Sequence, residues 1–199
     1  CGVCIMAIIF DFETLSVDRV NGVLLSMAVL EFEESRFNPK EQYSYTELLE
    51  SSRYIKFDVE SQVKKYGRQI NQDTLKWWGE QSKDAQRQLK PTGLDVDIDQ
   101  AIPFINTHTK KKLDKVYTRG NTFDPIIIDY IAEQCKQDVP WPHWVVRDTR
   151  SMIEGMSWGI DLRNGFIPEG LESVFIAHDP QHDIVMDVMR LQTLALALG

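Results

Sequence analysis

The sequence predicts an α/β fold with a mixed central sheet flanked by helices. Two observations carry that prediction. Strand-like segments come first, as MAIIFDFET and VLLSMAVLEFE, and alternating strand and helix units follow in the second half. The chain has 199 residues, 43% of them hydrophobic, enough for one sizeable core.

Taken in order, MAIIFDFET is rich in β-branched and aromatic residues and ends in polar ones, as a buried first strand does. A turn around Asp18–Gly22 leads into VLLSMAVLEFE, read as its hairpin partner. YSYTELLE is read as a third strand, and YIKFDV as a further one. VESQVKKYG and NQDTLKWWGEQSKDAQRQLK carry helical patterns, with Asn71 or Asp73 as the second helix's cap. PTGLDVD interrupts them, and IDQAIPFINTHTKKK resumes as helix. KVYTRGN is a short strand leading into FDPIIIDYIAEQC, a helix with its apolar face at Ile127, Tyr130 and Ile131. WVVRD is another short strand, followed by helical TRSMIEGM. The last helix runs from about Pro180 to Leu198, with Ile184, Val185, Val188, Leu191, Leu194 and Leu198 at helical spacing. With no repeat and no linker, residues 6–199 are expected to form one domain. Residues 1–5 are read as a non-native or upstream extension, with Met6 as a native start.

Composition narrows the function classes. No run of eighteen or more apolar residues is present, so no membrane helix is expected, and the start lacks the basic segment and cleavage site of a signal peptide. Cys1, Cys4 and Cys135 are too few for a disulfide framework, which fits a reducing, cytoplasmic setting. A net charge of -8 argues against binding nucleic acid through a broad basic surface. It is compatible with acids gathered around metal ions. Local basic clusters, Lys64–Lys65–Arg68 and Lys110–Lys112 with Lys115 and Arg119, read first as solvated faces.

Three short elements hold candidate chemistry. Asp11 and Glu13 share one face of a strand because side chains alternate. Carboxylates that close raise each other's pKa, and a hard cation such as Mg²⁺ or Mn²⁺ resolves the conflict. On that stretch alone, two solvent-facing acids are an equal alternative. Asp124, in Asn121-Thr122-Phe123-Asp124-Pro125, follows a strand and opens a helix. An N-cap role is its simplest account, with Pro125 at the first helical position. The position is also where ligands of open α/β sheets bind, and the two roles can coexist. In His178-Asp179-Pro180-Gln181-His182-Asp183, Asp179 is read as N-cap, leaving His178 on the preceding loop and Asp183 in the opening turns.

Together these residues resemble the DEDD superfamily of 3′-5′ exonucleases in its histidine-containing DEDDh branch. That family shows Asp-x-Glu on a first strand, a central Asp after a short strand, and His-x₄-Asp opening a late helix. The order here is the same, spanning Asp11 to Asp183. TLKWW with EQS, and Arg-Asp-Thr-Arg at 147–150, look closer to its phage exonuclease A and exoribonuclease-like subgroup.

The resemblance implies a ribonuclease H-like fold and 3′-5′ hydrolysis of DNA or RNA with two divalent ions, Mg²⁺ or Mn²⁺. It implies metal ligation by Asp11, Glu13, Asp124 and Asp183, with His178 as general base and Glu13 also near the terminal 3′ hydroxyl. The partner implied is nucleic acid with a free 3′ end, and a homodimer is an open expectation. Substrate contacts are expected from Thr14, Leu15, Trp77, Asn121 and Arg147, with core packing an equal alternative for Leu15. Of the adjacent Trp77 and Trp78, one is expected to anchor the helix against the sheet and the other to be exposed or at a partner surface, where stacking on a base is worth about 1–3 kcal/mol. Arg150 is a second candidate for phosphate contact, though an ion pair with Asp148 accounts for either arginine more simply.

His182 and Asp187 repeat the His-x₄-Asp spacing, so a register shifted by four residues competes. His178 with Asp183 is preferred because a histidine inside the helix cannot lean over the site. Two rival readings remain: a haloacid dehalogenase-like phosphatase, whose Asp-x-Asp-x-Thr resembles DFET, and a non-catalytic nucleic-acid-binding module of the same fold.

Overall fold

A computed structural model describes residues 6–109, 113–160 and 162–199. The Cys1–Cys4 pair and Lys110–Lys112 lie outside the described residues. Among these residues five strands, β1 (Met6–Thr14), β2 (Leu24–Glu33), β3 (Arg53–Lys56), β4 (Lys115–Thr118) and β5 (Val146–Asp148), form one sheet in the order β3-β2-β1-β4-β5. β1, β2 and β3 are antiparallel neighbours, and β4 and β5 run parallel to β1. The sheet is mixed, as expected, and β1 lies at its centre.

Among the described residues, seven α-helices cover it: α1 (Tyr45–Ser51), α2 (Val59–Tyr66), α3 (Gln72–Glu80), α4 (Ala101–His108), α5 (Asp124–Cys135), α6 (Thr149–Met156) and α7 (Pro180–Leu198). Alternation along β1 divides the core. Ile8, Phe10 and Phe12 pack with residues of α4 and α5, whereas Ala7 and Ile9 pack with α1, α6 and α7. Asp11 and Glu13 continue the second row by the same alternation, and so emerge on the side that α7 covers.

YSYTELLE is not a strand but leads into and forms most of α1. The Glu47 amide donates to the Ser44 side chain at 3.1 Å, as in a capping box, and Tyr45 and Leu48 bury one helical face. The long helix expected over 71–90 is broken. α3 ends at Glu80, beyond Gly79, and Ser82 accepts from the Ala85 amide at 3.1 Å to start a separate 3₁₀ turn. Asn71, of the two candidates, is the α3 cap. In α5 the buried stripe is Ile127, Ile128 and Ile131, and Tyr130 is 37% exposed. At 100° per residue Tyr130 falls off the side of that stripe. α7 begins and ends as expected, with Asp179 as its cap, although Leu198 in its last turn is 62% exposed and not part of the buried face.

Candidate active site

The edge of the cleft is set by the parting of β1 from β4. Their pairing ends at Ile9↔Tyr117, while β1 continues to Thr14. The Phe12 amide finds its partner instead in Asp124, donating to Oδ1 at 3.2 Å. Asp124 is therefore not the cap of α5. Phe123 holds that position, and Asp124 is the first helical residue, with Pro125 next to it. Its buried carboxylate reaches across to β1.

α7 supplies the other half. Asp179 accepts from the amides of Gln181 (3.0 Å) and His182 (3.4 Å), which fixes the start of the helix. Asp183, in the first turn, is favoured there by the helix dipole and accepts from the His178 amide at 3.0 Å. His178 itself sits at φ 63, a left-handed backbone that lets the loop fold back over Asp183. Ligand atoms of Glu13, His178 and Asp183 all lie within 4.8 Å of one another. Asp11, Glu13, Asp124, His178 and Asp183 line a single cleft of about 390 Å³, together with Arg119, Phe123, Arg150 and Asp187.

Crowding shows in the titration of the acids. Burial first, then the carboxylates of Asp124, Glu13 and Asp183, hold Asp11 well above the usual range. Burial, followed by Asp183 and Asp124, does the same to Glu13. Asp124 is pushed up to about 7 by burial, against the opposing pull of the Phe12 amide. Asp183 is likewise raised to about 7, by burial and then by Asp187. Burial also lowers the His178 imidazole, favouring its neutral form. Of these groups, Glu13, Asp183 and the His178 imidazole come close enough together to share one cation, and Asp11 and Asp124 add two crowded carboxylates to the lining of the same cleft.

These shifts make a stability prediction. Asp124 and Asp183 bind protons more tightly folded than unfolded, so their stabilising contribution is fully present below about pH 4. It is lost as pH rises through about 7. Thermal unfolding of the chelator-treated protein should show this loss. Adding Mn²⁺ should then raise Tm clearly at pH 8 and little at pH 5, where protons compete for the same oxygens.

The shifted register finds its residues otherwise engaged. The His182 ring accepts from the Ile176 amide at 3.4 Å and lies 2.7 Å from the Tyr45 hydroxyl at the same nitrogen, Nδ1. Asp187, 1% exposed, pairs with Arg119 at 2.6 Å and Arg190 at 2.7 Å, and accepts from the Thr149 hydroxyl. Its charge is matched within the protein. This network, with Arg119 reaching the cleft from the end of β4, carried a misleading signal in sequence: Asp187 stood out only as half of the competing His-x₄-Asp pair, and Arg119 only as one arginine in a basic run.

Of the other expected contacts, some gather at the cleft and some do not. Thr14 and Trp77 line an adjoining hollow of about 530 Å³ with Phe12, Glu13, Val17, Asn71 and Phe123. The Thr14 hydroxyl is turned to the Ser16 carbonyl at 2.7 Å. Leu15 is in the core with Val23, Leu25 and Trp78. Asn121 is exposed in the turn before α5, within 3.3 Å of the Thr118 hydroxyl, and lines neither space. Arg147 donates to the carbonyls of Trp144 (2.7 Å) and Val146 (2.9 Å) and also lines neither. Arg150 lines the cleft, since Asp148 caps α6 through the Arg150 amide at 3.0 Å and leaves the guanidinium out of that bond.

Comparison with known proteins gives concordant matches. The family described as the 3′-5′ exoribonuclease Rv2179c-like domain matches residues 6–174, stopping short of α7. An exodeoxyribonuclease of Enterobacteria phage T4 is 30% identical over 210 residues, covering 96% of this chain and 90% of that protein. Among solved structures, cell-death related nuclease 4 aligns with TM-score 0.61 at 14% identity, over 98% of this chain and 64% of that one. Exonuclease I aligns with TM-score 0.58 at 12% identity, over 95% of this chain and 41% of that one. The chain thus spans about two-fifths of exonuclease I. At such identities the likeness is one of fold, and that fold is ribonuclease H-like. Among the described residues, no helix is long and apolar enough to cross a membrane.

Proposed function

The chain belongs to the family described as the 3′-5′ exoribonuclease Rv2179c-like domain, a 3′-5′ exonuclease family, and from that premise we propose how its cleft works. It removes nucleotides from the 3′ end of DNA or RNA with two divalent ions, Mg²⁺ or Mn²⁺, and residues 6–199 act as one catalytic domain. The observation that carries this reading is the convergence of Asp11, Glu13, Asp124 and Asp183 with His178 in one cleft. The phosphatase and non-catalytic alternatives fall away with the family established.

Asp11, Glu13 and Asp183 would hold one ion, and Asp11 with Asp124 the other. When bound, such ions promote attack by water and stabilise charge on the departing 3′ oxygen. The protein's own contribution is placement. Its neutral imidazole lets His178 take a proton from the attacking water at a ring nitrogen. The bond from the His178 amide to Asp183 couples the base to one of the carboxylates. Arg150 and Arg119 bring positive charge to a cleft that must admit a phosphodiester. The hollow walled by Phe12, Trp77 and Phe123, adjoining Glu13, offers apolar faces to the terminal base.

The relative named an exodeoxyribonuclease and the family described as exoribonuclease point to different sugars, so both are test substrates. Incubation with 5′-labelled DNA and RNA oligonucleotides and Mg²⁺ or Mn²⁺ should give a ladder shortening from the 3′ end, abolished by chelation. Release of label as a mononucleotide at the outset, or a ladder that persists with chelator, contradicts the proposal.

A further inference from the structure

The chain of contacts leading to His178 starts on β1. The Trp78 indole N–H donates to the Thr14 carbonyl at 2.9 Å, one residue past Glu13, and its ring is fully buried. That bond fixes α3 against the end of the strand carrying the acids. Trp77, the preceding residue on the helix, meets Trp78 nearly perpendicularly at 5.3 Å between centroids. Trp77 in turn meets the His178 ring at 4.7 Å and 77°, within the spacing at which aromatic rings attract.

The backbone around His178 is held from several sides. Its amide is bonded to Asp183, and the neighbouring Asp179 is both the α7 cap and an acceptor from Gln88 Nε2 at 3.2 Å. The ring is a different matter. Among the described residues, none forms a hydrogen bond with either ring nitrogen of His178. Its side-chain torsions are therefore set by packing, and the nearer of its two aromatic contacts is Trp77. Trp77 is 40% exposed, a wasteful place for an indole whose only task is to anchor a helix that Trp78 already anchors. We infer that Trp77 is a positioning residue for His178, its indole fixing the orientation in which the imidazole faces the cleft.

The inference rests on the reading of His178 as the base but goes beyond a stacking role for Trp77. A base platform affects only substrates that have a base. A residue that orients the imidazole affects every phosphodiester the cleft hydrolyses. Two chromogenic probes separate these roles: the p-nitrophenyl ester of thymidine 5′-monophosphate, and bis(p-nitrophenyl) phosphate, which has no nucleoside. Trp77→Ala should lower kcat on both by about ten- to a hundredfold, the range for a misplaced reacting group. Trp77→Phe, which retains an aromatic face, should recover most of the loss on both. In the free protein, the His178 ring-proton resonances, assigned by their absence in His178→Asn, should shift in Trp77→Ala as the indole ring current is removed. A rise in KM for the nucleotide ester, with kcat on bis(p-nitrophenyl) phosphate unchanged, would overturn the inference in favour of a stacking platform. If kcat is unchanged in His178→Asn as well, it is the assignment of the base that fails, and the positioning role fails with it. The resonance shift then still reports whether the ring contact exists.

Discussion

Asp11→Asn is expected to lower nuclease activity by about 10³-fold or more while making the metal-free protein more stable at pH 8. The activity loss follows from position. Asp11 is the carboxylate proposed to serve both ions, so its neutral isostere weakens both at once and removes the charge that balances them. The gain in stability follows from electrostatics. Burial and the neighbouring Asp124, Glu13 and Asp183 all oppose ionisation of Asp11, and each of those neighbours is relieved when it becomes neutral. An asparagine amide placed among carboxylates also has acceptors at hand. Opposite signs for activity and Tm distinguish loss of a ligand from loss of the fold. Retained activity, or a parallel fall in both quantities, contradicts this account.

The second large effect separates the two histidines. His178→Asn should lower kcat by about 10²–10⁴-fold, the range for a general acid or base. Asparagine is the better probe than alanine, because it tolerates the left-handed backbone that His178 adopts at φ 63. His182→Ala should leave kcat close to wild type. Its cost falls on stability, at about 1 kcal/mol for the lost contact with the Tyr45 hydroxyl. Reversal of the two phenotypes, measured by steady-state kinetics and thermal unfolding on the same preparations, would move the base to His182.

What was legible in the sequence was local. Alternation placed Asp11 and Glu13 on one face, and Asp179-Pro180 marked the start of α7, so the two acidic ends of the site could be drawn before any contact was known. Of the two roles the sequence allows Asp124, the capping one is not taken up: its carboxylate accepts instead from the Phe12 amide, 112 residues away in the chain, on the stretch of β1 beyond its pairing with β4. YSYTELLE misled because its aromatic and β-branched residues suit a strand, while its Ser44 and Glu47 cap a helix. Arg147 and Arg150 were interchangeable as letters. The turn from β5 into α6 sends one guanidinium to backbone carbonyls and the other to the cleft. The contact between Trp77 and His178 had no sequence signal, since it joins two elements far apart in the chain.

The central claim is that acids from β1, α5 and α7 act as one divalent-ion site. Mn²⁺ titration, followed by loss of the free-ion signal in electron paramagnetic resonance, tests it most directly. The wild-type protein is predicted to bind two ions. Asp11→Asn should weaken both, and Asp124→Asn should weaken one more than the other. Binding that is unchanged by Asp11→Asn and Asp183→Asn would contradict the account.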